Sequence, residues 1–332
     1  MIASPRPPAQ PSPASLWPGR DRPRRRRGES RRMHLLKRMG FFRQEGDGVQ
    51  IGPVRKADDL LGGLRLVHDA YVQRGYIHPS PNGVRLRAYE AMPETATFVA
   101  RVGHRIVGTI SVVVDSPALG LPCTEAFGDV VGDLRGQGRR IAEATNWAVS
   151  PGYRYSGVLT ELMRCALAYT AAIGCDDFVG AVCPGHARFF ELLGFETVAD
   201  VRSYSAEIYD PVALVRLDVS SLPERFKDVR VDDGDDEAFL KRYYVAGNPY
   251  VPHAPDWPGL FEALYRREDF LRRVFADEGD LLGCCSDAEL NVVRRTWGSA
   301  LFAQVFAEPA AYGGLAEPSA VRTPAQLVGA PI

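Results

Sequence analysis

From position 49 onward, the hydrophobic residues repeat with two different spacings, and the spacing changes several times along the chain. The segment 49–54 is short and rich in branched side chains, which predicts a strand. Asp58 is a candidate N-cap for the helix that follows. The apolar residues of this helix recur every three to four positions and form one stripe, made of Leu60, Leu64, Val67 and Tyr71. A strand followed by an amphipathic helix therefore opens the patterned region.

Two β-branched runs, 98–102 and 105–115, flank Gly103-His104, and this arrangement is typical of an antiparallel hairpin. The later predicted elements, in chain order, are a helix at 127–135, a strand at 140–149, a helix at 157–173, a strand at 178–183, a helix at 186–193 and closing strands at 198–209. The order predicts a mixed α/β sheet within a domain spanning 47–219. Residues 220–332 are predicted to form a mostly helical C-terminal extension.

The two ends of the chain differ in composition from this domain. Of the 332 residues, 45% are hydrophobic and 24% are charged, and the net charge of -1 gives the whole molecule no field that would attract nucleic acid or an anionic membrane. Residues 1–46 nevertheless carry eleven Arg and one Lys against three acidic residues, with many prolines. This segment has too few apolar residues to bury and is expected to be disordered. No apolar stretch is long enough to predict a transmembrane helix.

The cysteines indicate the compartment and the absence of a metal site. None of the six forms a CxxC pair or has histidine partners at zinc spacing. Two of them fall within apolar segments, where a reduced thiol packs as a small hydrophobic group. We therefore expect a reducing, cytoplasmic setting and no bound metal. The six are Cys123, Cys165, Cys175, Cys183, Cys284 and Cys285.

Two short motifs lie on either side of one predicted buried strand. Arg154-Tyr155-Ser156-Gly157 stands between a strand and a helix, and Phe189–Phe195 reads Phe-Phe-Glu-Leu-Leu-Gly-Phe. The first resembles the Arg-x-x-Gly phosphate loop of the GNAT acyltransferases, and the second is similar to their late aromatic-x-x-Leu-Gly-Phe signature. The order of these motifs resembles that of a GNAT domain over 49–218. The resemblance implies the GNAT fold, a mixed and mostly antiparallel sheet flanked by helices.

Longer segments narrow this resemblance to the FeeM-type N-acyl amino acid synthases, which are related to acyl-homoserine lactone synthases. These segments are 66–77 (LVHDAYVQRGYI), 89–98 (YEAMPETATF), 108–117 (GTISVVVDSP), 120–122 (GLP) and 184–189 (PGHARF). The resemblance covers about half of the chain. It implies transfer of a long-chain acyl group from acyl carrier protein to the α-amine of an amino acid. It implies no tightly bound cofactor, because the acyl-phosphopantetheine thioester of the carrier protein, or acyl-CoA, is a co-substrate.

Glu143 is the candidate catalytic residue. Strict alternation along 140–149 puts it on one face of the strand with bulky neighbours, namely Ile141, Thr145, Trp147 and Val149. Burial there would raise its pKa and suit it to accept a proton from the amine. A Glu on the corresponding strand is implicated in the lactone synthases, where an Arg follows three residues later; here that position is Asn146. The alternative is a structural carboxylate in an ion pair or at a solvated edge.

The loop before the 157–173 helix is the candidate donor site. The amides of Ser156, Gly157 and Val158 would open the helix, and such amides bind phosphate. Arg154 would add a charge-assisted contact, and Trp147 and Val149 are assigned to the same site. Leu159 replaces the small residue of the GNAT loop, which favours the single phosphate of a carrier protein over coenzyme A. An ordinary helix start is the alternative.

Basic residues near this loop, Arg139, Arg140 and Arg154, are candidates for contact with an acidic carrier protein; ordinary surface arginines are the alternative. The acceptor pocket is expected to include four residues from the resembling segments together with a histidine that either assists the reaction or orients its helix. These five are Tyr71, Arg74, Tyr76, Asp115 and His186. Arg74 can bind a substrate carboxylate through two parallel hydrogen bonds. Tyr71 completes the apolar stripe of its helix, which favours a place in the core over one in the pocket.

Two other functions remain open on sequence alone. One is a broader acetyl-CoA or acyl-CoA-dependent N-acetyltransferase. The other is a non-catalytic acyl-binding module, supported by Phe190, which stands where many GNAT enzymes have a tyrosine that protonates the leaving thiolate.

Overall fold

The computed structural model describes residues 31–38, 48–154, 156–205, 208, 210–232 and 235–307. Its centre is an eight-stranded sheet. The strands are β1 Val49–Pro53, β2 Ala96–Val102, β3 Arg105–Val114, β4 Ile141–Val149, β5 Asp177–Val182, β6 Glu196–Thr197, β7 Arg202–Ser203 and β8 Pro211–Asp218. The sheet order is β1-β2-β3-β4-β5-β8-β6, with β7 paired to β8, and only β4 and β5 run parallel. The predicted mixed, mostly antiparallel α/β fold is confirmed.

Helices cover both faces of this sheet. They are α1 Arg31–Arg38, α2 Ala57–Arg74, α3 Thr124–Gly136, α4 Val158–Ala172, α5 Pro184–Leu192, α6 Leu222–Arg225, α7 Asp236–Lys241, α8 Trp257–Leu264, α9 Glu268–Leu271, α10 Leu281–Cys284, α11 Asp287–Trp297 and α12 Ser299–Phe306. α2 packs closely against one face, where a Cβ on Gly63 would lie 2.9 Å from Thr109 Oγ1. α4 packs as closely against the other face, where a Cβ on Gly108 would lie 2.6 Å from Val158 Cγ1. The α2 face and the α4 face are therefore separate layers of the domain.

An irregularity in β4 changes which residues share a face. Asn146 has a φ of 53°, in the left-handed region, and the pairing of β4 with β3 shifts register between Thr145 and Ala148. One extra residue in a strand moves every later side chain to the opposite face. Glu143 and Thr145 therefore lie on the α2 face, whereas Trp147 and Val149 pack against the core on the α4 face. The prediction that all four share one face is wrong, because strict alternation assumes no bulge.

The C-terminal extension continues the core on the α4 face. Phe98 of β2 contacts three rings at centroid distances of 5.0 to 6.1 Å, those of Tyr169, Trp257 and Phe261. Tyr243 donates a hydrogen bond of 2.8 Å to the carbonyl of Thr160 in α4. The extension is thus packed directly onto the sheet and α4.

Several predicted boundaries differ from the structure. Residues 31–38 of the segment expected to be disordered form α1, because Leu36 is fully buried and Arg32 pairs with Asp236; residues 1–30 and 39–47 lie outside the described part of the chain. The N-cap of α2 is Lys56 rather than Asp58. The main closing strand is β8 rather than 198–209, since its run of buried apolar residues pairs with β5. In the described part of the chain, no helix is both long enough and apolar enough to cross a membrane.

Candidate active site

Glu143 lies in the middle of β4, opposite Val113 of β3, and is 1% exposed. Its Oε2 atom accepts a hydrogen bond of 2.8 Å from the backbone N–H of Cys123, at the start of α3. Burial raises the pKa of Glu143 to about 7, although the Cys123 hydrogen bonds and the positive charge of Arg87 oppose the shift. This buried carboxyl is therefore able to change its protonation state near neutral pH.

A polar cluster lies at the bulge, on the same face of β4. Asn146 is 2% exposed, and its Nδ2 atom donates to Glu90 Oε1 at 2.8 Å. Its Oδ1 atom accepts from both Arg85 and Arg87 at 3.3 Å. Arg87 also binds Glu90 through Nη2 and through its backbone N–H, each at 2.7 Å. We call these four residues, Arg85, Arg87, Glu90 and Asn146, the arginine cluster.

Charges within the arginine cluster act on one another. Burial alone would raise the pKa of Glu90, but the Arg87 guanidinium beside it holds that pKa below its ordinary value. Burial and the neighbouring Arg87 charge lower the pKa of Arg85. An arginine remains charged even so, and the cluster therefore contains two cations and one carboxylate.

Three of the predicted acceptor residues meet next to this cluster. The Tyr71 and Tyr76 rings are 5.5 Å apart, and the guanidinium of Arg85 lies 4.8 Å from the Tyr71 ring. Arg74 lies 5.9 Å from the Tyr76 ring. His186 is on the outer side, where crowding by protein atoms and the charge of Arg74 lower the pKa of its imidazole. The structure thus brings Tyr71, Arg74, Tyr76 and His186 into one neighbourhood.

Asp115 lies elsewhere. It follows the end of β3, its backbone N–H donates to the carbonyl of Ile141, and its carboxylate forms a two-bond pair with Arg135 at 2.6 and 2.7 Å. Asp115 is therefore at the opposite end of β4 from the arginine cluster, and its oxygens are already engaged. The structure does not bring Asp115 together with the other four candidate acceptor residues.

The loop before α4 offers fewer free amides than the sequence predicts. The N–H of Ser156 donates to the carbonyl of Tyr153 at 3.3 Å, and the N–H of Val158 donates to Ser156 Oγ at 3.3 Å. Arg154 is exposed and Gly157 is the residue that precedes the helix. Among the groups of this loop, the Gly157 amide and the Arg154 side chain have no hydrogen-bond acceptor in the described part of the chain.

A gap between β4 and β5 lies next to this loop. The two strands pair only from Ile141 to Glu143 and from Asp177 to Val179, so the last residues of β4 have no partner in β5. Trp147 stands on this part of β4 and packs on Phe190 of α5, with ring centroids 5.1 Å apart. Its Nε1 atom is buried without a hydrogen-bond partner among the described residues. Phe190 is 3% exposed and therefore has a packing role.

A second set of charges surrounds buried Asp177, near the first residues of β4 and β5. Asp177 is fully buried and binds Arg139 and Arg216, the latter at 2.7 Å. Arg139 also pairs with Asp218 at 2.9 Å. We call Asp177, Arg139, Arg216 and Asp218 the balanced cluster, since it has two charges of each sign.

Arg140 is engaged as well, because its side chain donates to the carbonyl of Ile173 at 2.7 Å. Arg139 and Arg140 are therefore structural arginines remote from the donor loop, and the expectation that they contact a carrier protein is not supported. All six cysteines are free thiols. The described residues contain no group of three or more His, Cys, Asp or Glu side chains arranged to hold a metal ion.

The mixed, mostly antiparallel sheet flanked by helices is the GNAT fold. Within it, residues 63–218 match the family model described as N-acyl amino acid synthase FeeM, which confirms the resemblance carried by the sequence motifs. The match begins inside α2 and ends with β8, and the C-terminal extension lies outside it.

Solved structures with similar coordinates include three in which about half of this chain aligns. FeeM, an N-acyl amino acid synthase from uncultured soil microbes, has 23% identity and a TM-score of 0.46, and covers 52% of this chain and 91% of its own. An N-acetyltransferase from Staphylococcus aureus Mu50 has 16% identity over 52% and 99% of the two chains, with a TM-score of 0.39. The CoA-dependent acyl-homoserine lactone synthase BjaI has 19% identity over 59% and 99%, with a TM-score of 0.36. A comparison with curated protein sequences finds no match.

Sequence reasoning missed Arg85, Arg87 and Glu90. Arg85 and Arg87 alternate with buried Val84, Leu86 and Ala88, and Glu90 falls in phase with the buried positions. Such alternation is ordinarily that of a half-exposed strand with solvated polar residues. The segment is instead a loop that leads into a 3₁₀ turn at Ala88–Ala91. The motif YEAMPETATF does include Glu90, and it is the one signal that pointed to this region.

Proposed function

We propose that the protein transfers a long-chain acyl group from acyl carrier protein to the α-amine of an amino acid. The observation that supports this most directly is Glu143, a buried carboxyl with a pKa of about 7 beside the β4–β5 gap. A general base works best when its pKa is close to the working pH. The match of residues 63–218 to a family described as N-acyl amino acid synthases supports the choice of acceptor class.

In this reaction, the unprotonated amine attacks the carbonyl carbon of the thioester. A C–N bond forms and the C–S bond breaks. The proton lost by nitrogen passes to the Glu143 carboxylate, directly or through one water molecule, and the departing thiolate takes a proton from solvent because Phe190 has none to give. The buried Nε1 donor of Trp147 is available to the thioester carbonyl at the gap.

The donor loop favours carrier protein over coenzyme A. The amides of Ser156 and Val158 are already used within the loop, and a diphosphate needs more free donors than a single phosphate does. In a carrier protein, contacts between the two protein surfaces replace those missing at the diphosphate. Exposed Arg154 is the loop residue suited to meet an acidic carrier.

Kinetics with matched donors test this function. Dodecanoyl-acyl carrier protein and dodecanoyl-CoA would each be offered with a panel of L-amino acids, and N-acyl products would be measured by mass spectrometry. We expect N-acyl amino acids to form, with a far higher kcat/KM for the carrier-protein donor that falls at high salt. Equal values, or a preference for the CoA thioester, would exclude the carrier-protein assignment and favour a CoA-dependent N-acyltransferase.

A further inference from the structure

The charges of the arginine cluster do not balance. Arg87 is paired with Glu90, whose carboxylate also accepts from Asn146. Arg85 has no carboxylate partner within the described part of the chain, and its hydrogen bond to Asn146 Oδ1 is long, at 3.3 Å. Buried or half-buried charges normally occur in pairs or with a bound ligand. The cluster therefore has one positive charge in excess.

Hydrogen-bond donors are also left over. Arg87 Nε is buried and has no acceptor among the described residues. Within the described part of the chain, the guanidinium of Arg85 makes one hydrogen bond, and its Cζ atom lies over the Tyr71 ring, 4.8 Å from the centroid. A cation–π contact of this kind leaves the other N–H groups available for hydrogen bonds to an anion. The unused donors and the excess charge both suit an anion with two oxygens.

The cluster is close to the candidate base. The charge of Arg87 acts on Glu143, lowering its pKa. Burial and the charge of Glu143 raise the pKa of Tyr204, on which Arg87 and Arg85 act in the opposite direction. Tyr204 therefore lies within electrostatic reach of both the base and the arginines. A small molecule bound at the arginines would have its next atoms near Glu143.

We propose that Arg85, supported by Arg87, binds the α-carboxylate of the amino acid acceptor and so presents its α-amine to Glu143. This assignment rests on the proposed function for the identity of the acceptor. It explains why the acceptor would be an amino acid, because an amine without an adjacent carboxylate would leave the excess positive charge uncompensated. It also replaces Arg74, which lies on the outer side of Tyr76, as the carboxylate-binding arginine.

Turnover by two Arg85 variants tests the assignment. Arg85→Met keeps an aliphatic side chain against Tyr71 and removes the charge. Arg85→Lys keeps the charge and removes the pair of parallel N–H donors. The substrates would be the L-amino acid with the highest turnover and its carboxamide. We expect Arg85→Met to lower kcat/KM for the acid by about tenfold to a hundredfold and to leave the carboxamide unchanged. Arg85→Lys should fall between, and Arg267→Met, which removes an exposed arginine of the extension, should match the wild type.

Equal loss for the acid and the carboxamide, or no loss for either, would overturn the assignment. Binding measured by calorimetry separates this failure from failure of the proposed function, because it needs no turnover. The probes would be N-dodecanoylglycine and N-dodecanoylglycinamide. The wild type should bind the acid at least tenfold more tightly, and Arg85→Met should remove that preference. Equal affinities in the wild type would exclude a carboxylate site even if acyl transfer occurs; a preference without any acyl transfer would instead contradict the proposed function.

Discussion

The two buried charge clusters of this sheet lie towards opposite ends of β4 and differ in how completely their groups are satisfied. In the balanced cluster, Asp177 accepts from two arginines, and Arg139 extends the network to Asp218. In the arginine cluster, two arginines share one carboxylate and one amide oxygen, and Arg87 Nε has no acceptor in the described part of the chain.

The difference separates structure from function on physical grounds. A network whose charges and hydrogen bonds are complete has nothing left for a ligand, so it contributes to stability alone. A network with excess charge next to a base of raised pKa stays costly to fold until a ligand completes it. The predictions below test whether this contrast holds.

The largest effect is expected from Asp177→Asn, which breaks the balanced cluster. The change removes the fully buried carboxylate that both arginines bind and leaves them only the more exposed Asp218. The free energy of unfolding should therefore fall by about 3 kcal/mol. Urea unfolding at constant m-value measures the loss. Asp129→Asn, which removes an exposed partner of Arg202, should cost less than about 1 kcal/mol. A fall in kcat per folded molecule of Asp177→Asn would contradict a purely structural role.

Glu143→Gln should lower the activity and leave the stability intact, the reverse of Asp177→Asn. We expect kcat to fall about a hundredfold or more, the scale of losing a general base, while donor binding is kept. The variant should resist urea at pH 8 at least as well as the wild type, because an ionised buried carboxylate opposes folding. An unchanged kcat in the purified variant would exclude Glu143 as the general base.

The pH dependence follows from the same group. Glu143 has a pKa of about 7 in the folded protein, above its ordinary value. Its carboxylate form is the base, so kcat/KM should fall about tenfold per pH unit below 7. The stability contribution of the neutral form is complete below the unfolded pKa and is lost as the pH rises through about 7. Measurements of kcat/KM and of the urea midpoint between pH 5 and 9 test the two expectations. In Glu143→Gln, the change of each quantity near pH 7 should disappear.

The smallest effect is expected at Tyr265, which supports the arginine cluster from behind. Its hydroxyl donates to the carbonyl of Glu90 at 2.5 Å. Tyr265→Phe should destabilise the protein by about 1 kcal/mol and raise the KM for the amino acid a few-fold, with kcat for a saturating acceptor retained. Tyr169→Phe is the matched control, because it loses a similar bond to the carbonyl of Glu94. A KM change of equal size in both variants would show that the effect is general loosening.

The fold was predictable from sequence because its strands and helices carry clear periodicity, as in α2 and the β2–β3 hairpin. The burial of Glu143 could be predicted because β4 alternates regularly up to Thr145. The sequence pattern predicted the wrong face for Trp147 and Val149. The bulge depends on the backbone angle of Asn146, which the pattern of residues does not predict. Arg85 and Arg87 were missed because their partners, Glu90 and Asn146, are brought together only by tertiary packing.

Hydrogen bonds join the C-terminal extension to the turn that carries Glu90, across the boundary between the extension and the domain. Trp297 donates to the carbonyl of Ala91 at 2.8 Å, one residue beyond the carbonyl held by Tyr265. Both donors lie outside the segment that matches the synthase family, yet they fix the turn from which Glu90 reaches into the site. The segment that matches the family thus ends at β8, whereas hydrogen bonds that support the candidate site cross that boundary. We expect a fragment cut at the end of β8 to be a poor surrogate for the enzyme, and grafting the site into a related scaffold would require that the two aromatic donors be carried along.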